Sequence, residues 1–62
     1  MITLKAARIN AGYTQENAAK KLGISVYTLA NYEKGVTFPD IPVLKRIEHL
    51  YKIPYKDIFF KA

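Results

Sequence analysis

The chain contains no cysteine and a single histidine, His49, among its 62 residues. A disulfide framework is therefore excluded, and so is a zinc site built from cysteine and histidine. A glycine-rich phosphate loop is also missing, because Gly12, Gly23 and Gly35 stand apart along the chain. No carboxylate pair stands beside a nucleophile either. We therefore expect no catalytic residues, no metal, no cofactor and no enzyme activity.

Long hydrophobic runs are missing as well. The sequence has no run of about 20 apolar residues, the length that spans a bilayer, and no basic-then-apolar signal segment. We expect a cytoplasmic protein with no membrane partner, and nothing in the sequence indicates a small-molecule substrate. The length of 62 residues predicts one domain, residues 1–62.

Acidic residues are few. Five Asp and Glu stand against ten Lys and Arg, which gives a formal net charge of +5 and a pI of about 9.6. This balance favours anionic partners, above all nucleic acid, through phosphate contacts and counterion release. Charge alone does not identify the partner, since many small soluble proteins are equally basic.

Residues 15–22 form the first of two short amphipathic helices that are predicted to meet at a tight corner. Thr14 can cap this helix. Gly23 supplies the positive-φ residue that ends it, and Ile24 follows as a buried corner residue. The apolar positions at helical spacing are Ala18, Ala19 and Leu22.

The second of these helices is predicted from Val26 to Lys34, with Ser25 as its cap. Its inward positions are Leu29 and Tyr32. A helix that follows so soon must cross the first at a steep angle, and the small side chain of Ala19 lets the two axes approach closely. This is the geometry of a helix-turn-helix.

Three further helices and no strand are predicted. The first runs from Leu4 to about Ala11 after a Thr3 cap, and the last is a short helix from Tyr55 to Phe60. Asp40 can cap the fourth helix. Pro42 is tolerated in the first turn of this helix, where the backbone N–H groups have no partner within the helix. The apolar positions of the fourth helix are Ile41, Leu44, Ile47, Leu50 and Tyr51. Between the third and fourth helices, residues 36–38 are predicted to be extended over the core.

The ordered set of capping, glycine and apolar positions resembles the phage repressor and Cro family of helix-turn-helix proteins, often called the XRE family. The resemblance implies an all-α, lambda-repressor-like bundle of five helices. Two positions depart from the family pattern, since Ala18 stands in place of the usual leucine and Glu48 in place of a small apolar residue. The matching positions are Leu4, Arg8, Gly12 to Gln15, Ala19, Gly23 to Ser25, Leu29, Glu33, Gly35, Pro39, Leu44 and Asp57 to Phe59.

The same resemblance implies a small prokaryotic or phage-encoded transcriptional regulator, a repressor of the Cro/CI type, that binds double-stranded DNA. The first turn of the third helix carries no acidic residue, which leaves its positive end open. Matching the family's positions directs its side chains toward base edges in the major groove. The base-edge residues implied are Val26, Tyr27, Thr28 and Asn31, and the phosphate-binding residues are Gln15, Lys34 and Thr37.

Three of the four base-edge residues also have an ordinary structural alternative. Asn31 suits the paired donor and acceptor of adenine, or it is a solvated helix residue. Val26 can touch a thymine methyl group or simply contact the neighbouring helix. Tyr27 can contact a sugar, a base or a phosphate, or it covers the core, and exposure is expected because Leu29 and Tyr32 already occupy the inward face. We expect Thr28 to meet a phosphate more readily than a base, since its hydroxyl has a short reach.

Two more features follow from the family's positions and the apolar pattern. Arg8 and Glu33 are implied to pair inside the domain and so to be structural. Proteins of this type bind pseudo-palindromic operators as two-fold homodimers. The dimer interface predicted here is the apolar group Ile58, Phe59 and Phe60, with the alternative that Phe60 folds back over the monomer.

Two other functions remain open from the sequence. The fold could serve as an antitoxin-like protein-interaction module with secondary DNA binding, and the apolar C-terminal group fits that reading. It could also bind nothing specifically, in which case affinity would fall equally steeply with salt for every DNA sequence.

Overall fold

The computed structural model describes residues 1–60, so residues 61 and 62 of the predicted domain lie outside the described part. The described chain contains four α-helices, one 3-10 turn and two strands of two residues each. The mostly helical architecture agrees with the predicted class, but the predicted count of five helices is wrong, and so is the prediction that no strand forms. In chain order the elements are β1 (Ile2–Thr3), α1 (Leu4–Asn10), α2 (Gln15–Leu22), α3 (Val26–Lys34), α4 (Ile41–Tyr51), the 3-10 turn (Tyr55–Asp57) and β2 (Ile58–Phe59).

All four helices begin at the predicted capping residues. In each case the side-chain oxygen accepts a hydrogen bond from the backbone N–H three residues later, at 3.0 to 3.1 Å. This bond satisfies one of the free N–H groups at the helix start. The caps are Thr3, Thr14, Ser25 and Asp40.

The core lies where α1, α2, α3 and α4 pack together. The predicted inward positions of α2 are confirmed, as are Leu29 and the half-buried Tyr32 of α3. Two of the three core alanines, Ala18 and Ala19, lie in α2 and are almost fully buried, and their small side chains allow close packing of this helix. The buried apolar residues are Leu4, Ala7, Ala18, Ala19, Leu22, Leu29, Val43, Ile47, Tyr51 and Ile58.

The inward face of α4 differs from the prediction. Val43, Ile47 and Tyr51 are buried at a spacing of four residues, whereas Ile41 is 60% exposed. Ile41 precedes Val43 by two positions, which places it on roughly the opposite side of the helix. The half-buried flanks of the inward face are Leu44 and Leu50.

The predicted fifth helix does not form. After the 3-10 turn the chain becomes extended at Ile58 (φ −101°, ψ 130°), and β2 pairs in parallel with β1, with Ile2 opposite Ile58 and Thr3 opposite Phe59. This conformation buries the Ile58 side chain in the core and gives its backbone a partner. A run this short satisfies helical and extended periodicity equally well, and the pairing strand at the other end of the chain decides between them.

The segment between α3 and α4 also corrects a prediction. No strand forms in it, but Val36 and Phe38 are 65% and 58% exposed, so these side chains do not cover the core. Pro39 is the buried residue of the segment. Across residues 1–60, no helix has the length and apolar character needed to cross a membrane.

Candidate nucleic-acid interface

The corner between α2 and α3 has the predicted geometry. Gly23 adopts the left-handed conformation (φ 75°), and its N–H bonds the carbonyl oxygen of Lys20 at 3.2 Å. The N–H of Ile24 reaches back to the carbonyl oxygen of Ala19 at 3.0 Å. These two bonds form a Schellman motif, which satisfies the last carbonyls of α2 and directs the chain into Ser25. The helices that meet at this corner pack directly against each other.

The start of α3 presents side chains to solvent. Tyr27 is 75% exposed and Val26 is 42% exposed, while Leu29 is fully buried and anchors the helix. Thr28 and Asn31 are half-buried. The exposure expected for Tyr27 is confirmed. All four predicted base-edge residues therefore have side-chain surface outside the core, although their contact with DNA stays a prediction.

Ser25 and Thr28 are joined by two hydrogen bonds. Ser25 Oγ accepts from the backbone N–H of Thr28 at 3.0 Å and donates to Thr28 Oγ1 at 2.9 Å. The Thr28 oxygen is thus occupied as an acceptor from inside the protein, and its own hydroxyl hydrogen remains for an outside acceptor. A phosphate oxygen is one such acceptor.

Two of the three predicted phosphate-binding residues, Lys34 and Thr37, are exposed at and beyond the end of α3. Gln15, the first residue of α2, is half-buried. Its Nε2 donates a hydrogen bond to Oε1 of Glu33 at 3.0 Å. This contact could not be predicted from the sequence, because nothing in the residue pattern shows that Gln15 and Glu33 meet in space.

The predicted pair of Arg8 and Glu33 is present and internal. Arg8 Nε lies 2.8 Å from Glu33 Oε2, and the two side chains are 9% and 4% exposed. Arg8 Nη1 also donates a hydrogen bond to the carbonyl oxygen of Tyr13 at 2.9 Å. This network ties α1, the loop after it and the end of α3 together, so the structural role expected of Arg8 is supported.

Tyr51 packs near this ion pair. Burial raises the pKa of its phenol from 10.0 to about 12, and the Glu33 carboxylate adds to the rise. Its hydroxyl is buried and makes no hydrogen bond within the described part of the chain. The ring lies beside that of Tyr13, with centroids 6.3 Å apart. Tyr51 therefore contributes as an apolar ring that carries an unsatisfied polar atom.

The predicted dimer interface is divided by the fold. Ile58 is only 4% exposed and belongs to the monomer's core, so it has no free surface for a second subunit, and its inclusion is corrected. Phe60 is half-buried and packs against the core. Phe59 is 51% exposed, since alternate side chains of a strand point to opposite faces. Phe59 is thus the residue of this group with the most free surface.

Comparison with known proteins gives a consistent result. A sequence model of a family described as helix-turn-helix matches residues 4–58. The chain is 46% identical over 50 residues to the HTH-type transcriptional regulator ImmR of Bacillus subtilis (strain 168), which covers 81% of this chain and 39% of ImmR. It therefore spans well under half the length of that relative.

A second relative is closer in length. The chain is 38% identical over 56 residues to an uncharacterized HTH-type transcriptional regulator of Methanocaldococcus jannaschii, which covers 90% of this chain and 85% of that protein. No solved structure matches the chain.

Proposed function

Because the chain belongs to the XRE-type helix-turn-helix family of DNA-binding transcriptional regulators, we propose that it regulates transcription by inserting the start of α3 into the major groove of double-stranded DNA. The observation that carries this proposal is the contrast within α3, where Val26 and Tyr27 face solvent beside the buried Leu29. The first turn of α3 holds no acidic residue. A helix end of this kind suits a polyanion.

The proposed DNA-binding residues make two kinds of contact, to base edges and to phosphates. Asn31 pairs with an adenine, Val26 contacts a thymine methyl group, and Tyr27 and Thr28 complete the contacts at base edges and nearby phosphates. The phosphate contacts fix the register of the helix but carry no sequence information. They come from Gln15, Lys34 and Thr37.

We further propose a repressor of the Cro/CI type that acts in the cytoplasm as one domain over residues 1–62. One helix-turn-helix reads only a few base pairs, and a two-fold homodimer on a pseudo-palindromic operator adds a second half-site about 34 Å away. Phe59, with support from Phe60, offers the apolar surface for this dimer. The two transcriptional-regulator relatives favour this function over an antitoxin-like protein-interaction module.

Selection of bound sites from a random DNA pool tests the proposal. The wild-type protein should select a pseudo-palindromic motif, and Asn31→Ala should relax the preference at one adenine of each half-site, at a cost of about 1–3 kcal/mol in discrimination. Asn10→Ala, which removes an exposed asparagine from the end of α1, is the matched control and should leave the motif unchanged. An identical motif from Asn31→Ala would show that Asn31 reads no base.

A further inference from the structure

Gln15 and Glu33 meet where the start of α2 approaches the end of α3. The Gln15 side chain donates to Glu33 Oε1 at 3.0 Å, while Oε2 of the same carboxylate accepts from Arg8 Nε at 2.8 Å. A longer contact of 3.4 Å joins Arg8 Nη2 to Oε1. Because the Glu33 side chain is 4% exposed, packing as well as Arg8 fixes the oxygen that receives the Gln15 amide.

A carboxylate that bonds a residue proposed to bind phosphate needs an explanation. Glu33 can only accept hydrogen bonds when ionised, and it carries the same charge sign as a phosphate, so it cannot bind one. Arg8 lies against the carboxylate and compensates its charge. Any effect of Glu33 on DNA binding must therefore be indirect and pass through the Gln15 amide.

A glutamine side chain has several rotatable bonds and loses rotamer freedom when a contact fixes it. A primary amide has two N–H donors. With one donor held by Glu33, the second has a fixed direction before any ligand arrives. Gln15 is also the first residue of α2, where a backbone N–H has no partner within the helix. The backbone N–H and the second side-chain N–H of Gln15 can then bond the same phosphate group.

We infer that Glu33, neutralised by Arg8, is a positioning residue for DNA binding that holds the Gln15 amide in the orientation required by a backbone phosphate. The inference rests on the proposed function, because it concerns the phosphate contact of Gln15. It assigns the buried ion pair a role in affinity in addition to its role in stability. That added role predicts energetic coupling between positions 15 and 33 in DNA binding itself.

The test compares Gln15→Met in two backgrounds. One is the wild type, and the other is the double variant Arg8→Met/Glu33→Leu, in which apolar side chains replace the ion pair; such replacements are often tolerated. Affinity for the selected operator is measured by fluorescence anisotropy at constant salt, well below the melting temperature. Gln15→Met should weaken binding about tenfold in the wild type and no more than about twofold in the double variant.

Asn17→Leu is the matched control, since it removes another amide from the same helix whose side chain does not bond Glu33. Its effect should be equal in the two backgrounds. Equal losses for Gln15→Met in both backgrounds overturn the inference and leave the proposed function intact. A wild-type protein that selects no DNA sequence overturns both.

A second measurement does not depend on the double variant folding. Gln15 is the only glutamine in the chain, beside the asparagines Asn10, Asn17 and Asn31, so its side-chain amide signals in a nitrogen-edited NMR spectrum of the wild type without DNA are assigned by their correlation with the glutamine Cγ atom. The two amide protons should be displaced from free-glutamine positions, because one of them is bonded to a carboxylate. Signals at the free positions would show that Glu33 does not hold the amide, and the inference would fail.

Discussion

The carboxylate of Glu48 in α4 accepts a hydrogen bond from the backbone N–H of Tyr55 at 2.8 Å. Tyr55 begins the 3-10 turn, and Pro54 before it supplies no side-chain cap. Glu48 thus performs the capping function from a neighbouring helix. This contact accounts for a charged residue at a position where the resembled family has a small apolar one, and it fixes the path of the chain toward β2.

Removal of this contact should loosen the C-terminal segment. We expect Glu48→Ala to lower the free energy of unfolding by about 1 kcal/mol, which lowers the melting temperature by about 4–8 °C in a domain this small. Glu48→Gln keeps an acceptor oxygen and should lower the free energy of unfolding by a smaller amount. Thermal unfolding followed by circular dichroism measures both, and a Glu48→Ala protein that melts with the wild type contradicts the capping role.

Lys52 ends α4 in the left-handed conformation, with φ 56°, which is unfavourable for a residue with a Cβ atom. Lys52→Gly should therefore raise the free energy of unfolding by about 0.5–1 kcal/mol. Lys52→Ala removes the same charge but keeps the Cβ atom, so it should give no comparable gain. Urea unfolding distinguishes the two, and equal stabilities for both variants would refute the backbone explanation.

Tyr51 should make stability fall at high pH. Its pKa is about 12 in the folded protein against 10.0 for the free group, so between these values the unfolded chain releases a proton that the folded chain retains. This difference leaves the free energy of unfolding unchanged below pH 10 and lowers it as the pH rises toward 12. Tyr51→Phe removes both the ionisable phenol and the hydroxyl that lacks a hydrogen-bond partner.

The measurement is the difference in unfolding free energy between the wild type and Tyr51→Phe as a function of pH. Near neutral pH the variant should be as stable as the wild type or slightly more stable, since it leaves no buried polar atom without a partner. Above pH 10 the variant should gain relative to the wild type. A difference that stays constant across this range argues against the raised pKa.

A substitution at Phe59 tests the proposed dimer. Phe59→Lys places a charge on an exposed apolar position, so it should lower the sedimentation coefficient at high concentration and weaken operator binding while the melting temperature of the monomer hardly changes. Val36→Lys, at a similarly exposed apolar position, is the control and should leave sedimentation unchanged. A Phe59→Lys protein that sediments like the wild type removes this interface.

The helix-turn-helix could be predicted from sequence because its determinants are local. Thr14 and Ser25 cap helices through bonds that span three residues, and Gly23 supplies a conformation that other residues disfavour. Leu29 faces inward because its helix places it opposite the exposed Tyr27. Interactions between residues only a few positions apart can be predicted from residue type and spacing.

The C-terminal segment could not be predicted in the same way. Ile58 is apolar and follows a 3-10 turn, which fits a helix as well as a strand, and only its pairing with Ile2 at the opposite end of the chain selects the strand. The Ile41 error has a related cause, since the sequence specifies an apolar stripe on α4 but not which side of that stripe the other helices cover.

The sequence by itself determined where the four helices begin, which glycine turns α2 into α3, and the basic charge that suits a polyanion. The tertiary structure alone decided that Ile58 joins the core, that Glu48 caps the 3-10 turn, and that Gln15 is held by Glu33. The physical reason is range. Caps and turns are governed by bonds between near neighbours, whereas these three contacts exist only after packing has brought separate elements together.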